Sequence, residues 1–138
     1  MTRVTTLLAF IALSACAAAQ PTPDVEQMYI QASALTKLTS AVQAYVRYDD
    51  PPTELSEAEI LKNATKHDQT LLAPFSPYKL RVKVQARQAS VLMCTAEGAR
   101  GLLEDVGCTA RLDKHVWQSL VAEPCEFSLN AEKICAQD

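Results

Sequence analysis

The polar and apolar positions change their rhythm twice along this chain. After a short apolar run at residues 7–13, side chains recur at helical spacing through Val25, Met28, Ala32, Leu35, Thr39, Val42 and Val46. Leu38 and Tyr45 widen that stripe, which predicts an amphipathic helix to about Tyr48. Thr22 can cap it, Pro23 suits its first turn, and Asp24 with Glu26 favours the positive end of its dipole. Pro51-Pro52 stops it. Thr39 interrupts any longer heptad pattern, so the stripe reads as packed on its own domain rather than as a coiled coil. A second helix is signalled by the capping box Ser56 and Glu59, with Leu55 stapled to Ile60 across it. Asp68 restarts a last turn through Leu71 and Leu72, which Pro74 and Pro77 break.

From residue 78 the period becomes two. Leu80, Val82, Val84 and Ala86 share one face, and Lys79, Arg81, Lys83, Gln85 and Arg87 share the other. The apolar parity then moves to the odd positions Ala89, Val91 and Met93, which predicts a bulge or bend over residues 87–90, or burial of both faces beyond it. After Cys94, Thr95 can cap a short helix through Leu102, Leu103 and Val106, with Gly107 at its C-terminal cap. Residues 110–112 and 116–117 fit strand or irregular structure. Residues 125–129 alternate as a short strand that Asn130-Ala131 turns back toward Ile134. A helical N-terminal half followed by a strand-rich, disulfide-tied C-terminal part predicts a small single α+β domain.

Residues 1–16 are organised differently. Arg3 precedes the apolar run, and small residues follow it, the three parts of an export signal. The run falls well short of the roughly 18 to 20 residues that cross a bilayer. Leu13-Ser14-Ala15-Cys16 resembles the lipobox of bacterial lipoproteins: an aliphatic residue, two small ones, then cysteine. The resemblance implies that residues 1–15 are a signal peptide and that Cys16 is lipidated on its thiol and then acylated, palmitate-like, on its new amine. Residues 16–22 then form the anchor and a short linker, and residues 23–138 form the domain. The five linker residues 17–21 reach at most about 18 Å. Position 17 is alanine, not the aspartate that retains such proteins in the inner membrane, so the class implies an outer-membrane lipoprotein facing the periplasm or the surface. Cleavage after Ala17 or Ala19 by an ordinary signal peptidase is the alternative.

Without residues 1–15, the net charge of −3 becomes −4, because Arg3 is the one charge removed. Mild acidity argues against nucleic acid as a partner. With Cys16 set aside, Cys94, Cys108, Cys125 and Cys135 remain, an even set that reads as two disulfides in an exported protein. Intervals of 13, 16 and 9 residues contain no Cys-x-x-Cys pair, so no metal site is expected. Three pairings are open. The sequential one, Cys94–Cys108 with Cys125–Cys135, leads; a straight helix over residues 96–106 would hold its ends roughly 15 Å apart, beyond the reach of a bridge, so this pairing requires a shorter helix, which Gly98 and Gly101 allow.

Lys79, Arg81, Lys83 and Arg87 make a basic row that can face an anionic partner, or simply keep an edge strand solvated. No catalytic residue is expected: the serines lie in no nucleophile-elbow context, and His67 and His115 have no evident partner. No phosphate loop or dinucleotide fingerprint is present, and no cofactor is expected. The expectation is a membrane-anchored cell-envelope protein, not an enzyme, acting as a binding or assembly-accessory module with a protein partner. A soluble periplasmic or secreted inhibitor or effector of an extracytoplasmic enzyme is the alternative.

Overall fold

The structure, a computed structural model, describes residues 25–136. The expected signal peptide, the lipidated Cys16 and the cap at Thr22 lie outside the described residues. Helix α1 (Val25–Ala44) continues through one wider π turn at Tyr45–Asp49 and stops at Asp50, whose φ of 48° breaks the helical path before Pro51. Its stripe is buried as the spacing predicts, at Met28, Leu35, Leu38, Thr39, Val42 and Val46. Helix α2 (Glu57–Ala64) carries the full capping box. The Glu59 N–H donates to Ser56 Oγ at 3.3 Å, and the Ser56 N–H donates to Glu59 Oε2 at 2.8 Å. A 3₁₀ turn follows at Gln69–Phe75, capped by Asp68, which accepts from the Thr70 N–H. Pro74 lies inside that turn rather than ending it, since its fixed φ is compatible with a helical turn.

The sheet has four antiparallel strands in the order β1 (Lys79–Gln85), β2 (Gln88–Cys94), β3 (Gly101–Val106) and β4 (Lys114–His115). The parity change after β1 is a hairpin, not a bulge. Ala86 and Arg87 form its two-residue loop with φ of 49° and 61°, the left-handed pair that a tight hairpin requires. Val82 then faces Val91, and Leu80 faces Met93, so even positions of β1 and odd positions of β2 share one face. A register shift does occur, later, between Met93 and Cys94.

The helix expected after Thr95 is absent. Residues 95–100 make a turn around Gly98, and residues 101–106 form β3. All six residues of β3 are buried. With both faces covered the alternation that marks a strand disappears, and Leu102, Leu103 and Val106 imitate helical spacing.

Helix α1 covers one face of the sheet, where Leu35, Leu38 and Val42 join Val82, Val91, Met93 and Leu103 in the main core. Gln43 fixes its far end: Oε1 accepts the Ala89 N–H at 2.7 Å, and Nε2 donates to the Arg87 carbonyl at 3.0 Å. The other face carries a smaller cluster of Leu92, Cys94, Cys125 and Phe127. Irregular chain and a last short helix, α3 (Ala131–Cys135), complete the fold. Residues 125–129 are not the expected strand; they are held by Glu104, which accepts from the Ser128 N–H and hydroxyl and the Leu129 N–H. Asn130 caps α3 instead of turning a hairpin.

Two disulfides form, as expected, but the sequential pairing is corrected. The bridges are Cys94–Cys125 and Cys108–Cys135. Cys94 is level with Gly101 across the β2–β3 pair, whereas Val106, two residues before Cys108, is level with Ser90. Four strand residues separate those levels, at least about 13 Å, against the roughly 7 Å a bridge allows. Cys94 and Cys108 therefore lie at opposite ends of the hairpin.

Two predictions follow from this architecture. Non-reducing peptide mapping will recover the 94–125 and 108–135 linked pairs, and Cys94→Ala with Cys125→Ala will lower unfolding free energy by about 3–4 kcal/mol, the loop-entropy value for a closure of this length. Relieving the left-handed strain by Ala86→Gly will raise stability by about 0.5–1 kcal/mol in denaturant titration; a loss of stability would contradict the turn geometry.

Candidate functional site

The basic row does not act as one free surface. Lys79, Arg81 and Lys83 lie on β1, but Arg87 sits in the hairpin loop. Arg81 is committed to α2: its Nε and terminal nitrogen donate to Glu57 at 2.9 to 3.1 Å, and Glu57 also accepts the Val82 N–H at 3.1 Å. Burial alone would raise the Glu57 pKa, but the Arg81 guanidinium and the Val82 N–H hold it below the usual carboxylate value. Arg87 donates to the Arg47 carbonyl at 2.8 Å and pairs with Asp50 at 3.7 Å. Lys83 lies over the Phe127 ring at 6.0 Å. The Lys79 stem passes so close to Gly98 that a Cβ there would approach its Cδ to 2.9 Å. Lys79 and Lys83 enter no ion pair among the described residues.

His67 and His115 are both exposed. Among the described residues no group of three or more His, Cys, Asp or Glu side chains is placed to hold a metal ion. Trp117 is a core residue, buried against Tyr78 with ring centroids 5.8 Å apart. A shallow open groove of about 490 Å³ runs between the outer side of α1, at Tyr29, Ser33 and Lys37, and the loop carrying Arg111 and Leu112.

The most perturbed titratable group is one that the sequence reading passed over. Asp105 is fully buried in β3. Neither of its carboxyl oxygens has a well-formed hydrogen bond; the Thr39 hydroxyl donates to the Leu35 carbonyl at 2.8 Å, and Thr39 and the Asp113 N–H offset the effect of burial only in part. Burial pushes its pKa up to about 7, and the charge of Asp113 beside it pushes the same way. Asp113 in turn accepts from the Val106 N–H at 2.9 Å and the Thr109 hydroxyl at 2.7 Å, closing the loop after β3. A signal existed: Glu104-Asp105 is an acidic pair inside an otherwise apolar run. The arrangement places one buried carboxyl with a raised pKa in a packed interior.

No protein-family profile, no curated protein and no solved structure matches the chain.

Asp105 makes stability depend on pH. The folded protein holds this proton up to about pH 7, while the ordinary aspartate releases it near 3.8. Folding therefore takes up a proton at Asp105 between those values, and the contribution of this group to stability falls as pH rises from about 4 to about 7. At 1.36 kcal/mol per pH unit the fall amounts to about 4 kcal/mol. Asp105→Asn will abolish that component, so the stability difference between the two proteins will change across this window. Parallel pH profiles would show that Asp105 does not titrate there.

Proposed function

We propose that this chain is a lipid-anchored cell-envelope protein working as a non-enzymatic binding or assembly-accessory module. The observation that carries the reading is the arithmetic of its thiols. Cys94, Cys108, Cys125 and Cys135 pair among themselves, which leaves Cys16 with no disulfide partner within the chain. That spare thiol stands at the end of an apolar export segment, in the sequence Leu13-Ser14-Ala15-Cys16 that resembles a lipobox. The two bridges fit an oxidising, extracytoplasmic compartment. In this reading the acyl chains localise the protein, in the outer membrane, and the domain recognises a protein partner.

The disulfides keep the recognising surface preorganised, which lowers the ordering cost of binding. Lys79 and Lys83, and α1 at Ser33 and Lys37, are surfaces this reading offers for that contact. Arg81 is excluded from it by its bond to Glu57.

Intact mass of the protein from a membrane fraction, before and after reduction and alkylation, tests the proposal. The expected result is a chain beginning at Cys16 with diacylglyceryl and acyl mass added, gaining four alkyl groups only after reduction. A bare chain beginning at Ala18 or Gln20 would overturn the anchor, and a soluble inhibitor or effector of an extracytoplasmic enzyme would take its place.

A further inference from the structure

Five of the seven large apolar side chains left in the open among the described residues lie toward one end of the molecule. Val25, Tyr29, Ile30, Leu120 and Val121 are 47, 67, 52, 104 and 74% exposed. Helix α1 runs in the same direction as β1. Near its C-terminus Gln43 bonds the hairpin backbone at Arg87 and Ala89, and nearer its start Gln31 donates to the Pro74 carbonyl, just ahead of β1. From Gln31 the helix projects a further six residues, roughly 9 Å, to Val25. The loop of residues 118–122 hangs from the same end. On one side Trp117 packs on Tyr78, which immediately precedes β1. On the other, the Gly101 N–H at the start of β3 donates to the Glu123 carbonyl at 3.0 Å. The other large exposed apolar residues, Tyr48 and Val84, belong to the hairpin end.

We infer that this apolar end is a membrane-contact surface, seated in the interface of the bilayer that holds the acyl chains of Cys16. The inference rests on the lipid-anchor reading. From Cys16 to Val25 is nine residue steps, at most about 32 Å when fully extended, so the anchor draws this end of the domain to the lipid. Helix α1, about 30 Å long, keeps the hairpin end away from it. Aliphatic side chains flanked by tyrosine suit the boundary between headgroups and acyl chains, where amphipathic surfaces sink about 5–10 Å.

The test uses the lipidated full chain reconstituted in phosphatidylcholine vesicles with brominated acyl chains, which quench tryptophan on contact. Tyr29→Trp, Leu120→Trp and Tyr48→Trp place probes at three exposed positions, two at the apolar end and one at the hairpin end, over a constant background from buried Trp117. The expected result is clearly stronger quenching at 29 and 120 than at 48, because side chains sunk about 5–10 Å reach the acyl chains and one at the hairpin end does not. Protein that floats with the vesicles while all three probes quench alike overturns the membrane contact and leaves the anchor standing. Protein that carries no acyl mass and stays unbound overturns both.

Discussion

The fold depends on the attachment of an irregular C-terminal segment to the second face of the sheet. One face is closed by α1, which buries a continuous apolar stripe. The other offers Leu92, Cys94 and the carboxylate of Glu104, and among the described residues after β4 there is no further strand or long helix to cover them. A coil covering a sheet must find partners for its backbone groups without a ladder. Here the Cys94–Cys125 bridge pins the segment, and Glu104 takes the N–H groups of Ser128 and Leu129 that a neighbouring strand would have taken. Cys108–Cys135 then ties α3 to the chain beyond β3. In a domain of this size, cross-links supply what a modest core does not.

Side chains standing in for backbone recur elsewhere. Gln43 serves the Ala89 N–H and the Arg87 carbonyl at the hairpin, and Glu57 serves the Val82 N–H on the edge strand. Each joins a helix to a strand by one polar side chain, where an unpaired group would cost about 1–3 kcal/mol. The Glu57 contact also occupies part of the open edge of β1, and with the cations of that strand it disfavours pairing with another chain.

What could be read from the sequence was whatever is encoded locally. The stripe of α1, the Ser56–Glu59 box and the alternation of β1 each lie within a few residues of the bonds they make, and each forms. The disulfide connectivity was not legible, because it follows from the β2–β3 register, a non-local quantity. β3 was misread because burial on both faces removes its period. The basic row was legible as a row but not in its contacts: the partner of Arg81 is 24 residues away on α2, and Arg87 leaves the strand because the chain turns there. The hairpin itself was hidden because Ala86-Arg87 lacks the Asn or Gly that announces such a loop.

Glu104 and Asp105 show why adjacency in sequence is a poor guide to shared chemistry in a strand. Successive side chains point to opposite faces, so two neighbouring acids enter different surroundings. Glu104 faces the C-terminal segment and meets N–H and hydroxyl donors. Asp105 faces α1, where the Thr39 hydroxyl donates to the Leu35 carbonyl and the charge of Asp113 adds to the cost of burial. A buried carboxyl is tolerated either by donors or by keeping its proton, and this one strand uses both solutions at consecutive positions. The members of the acidic pair therefore do not act on one another: the backbone lies between them, and each is answered by a different part of the chain.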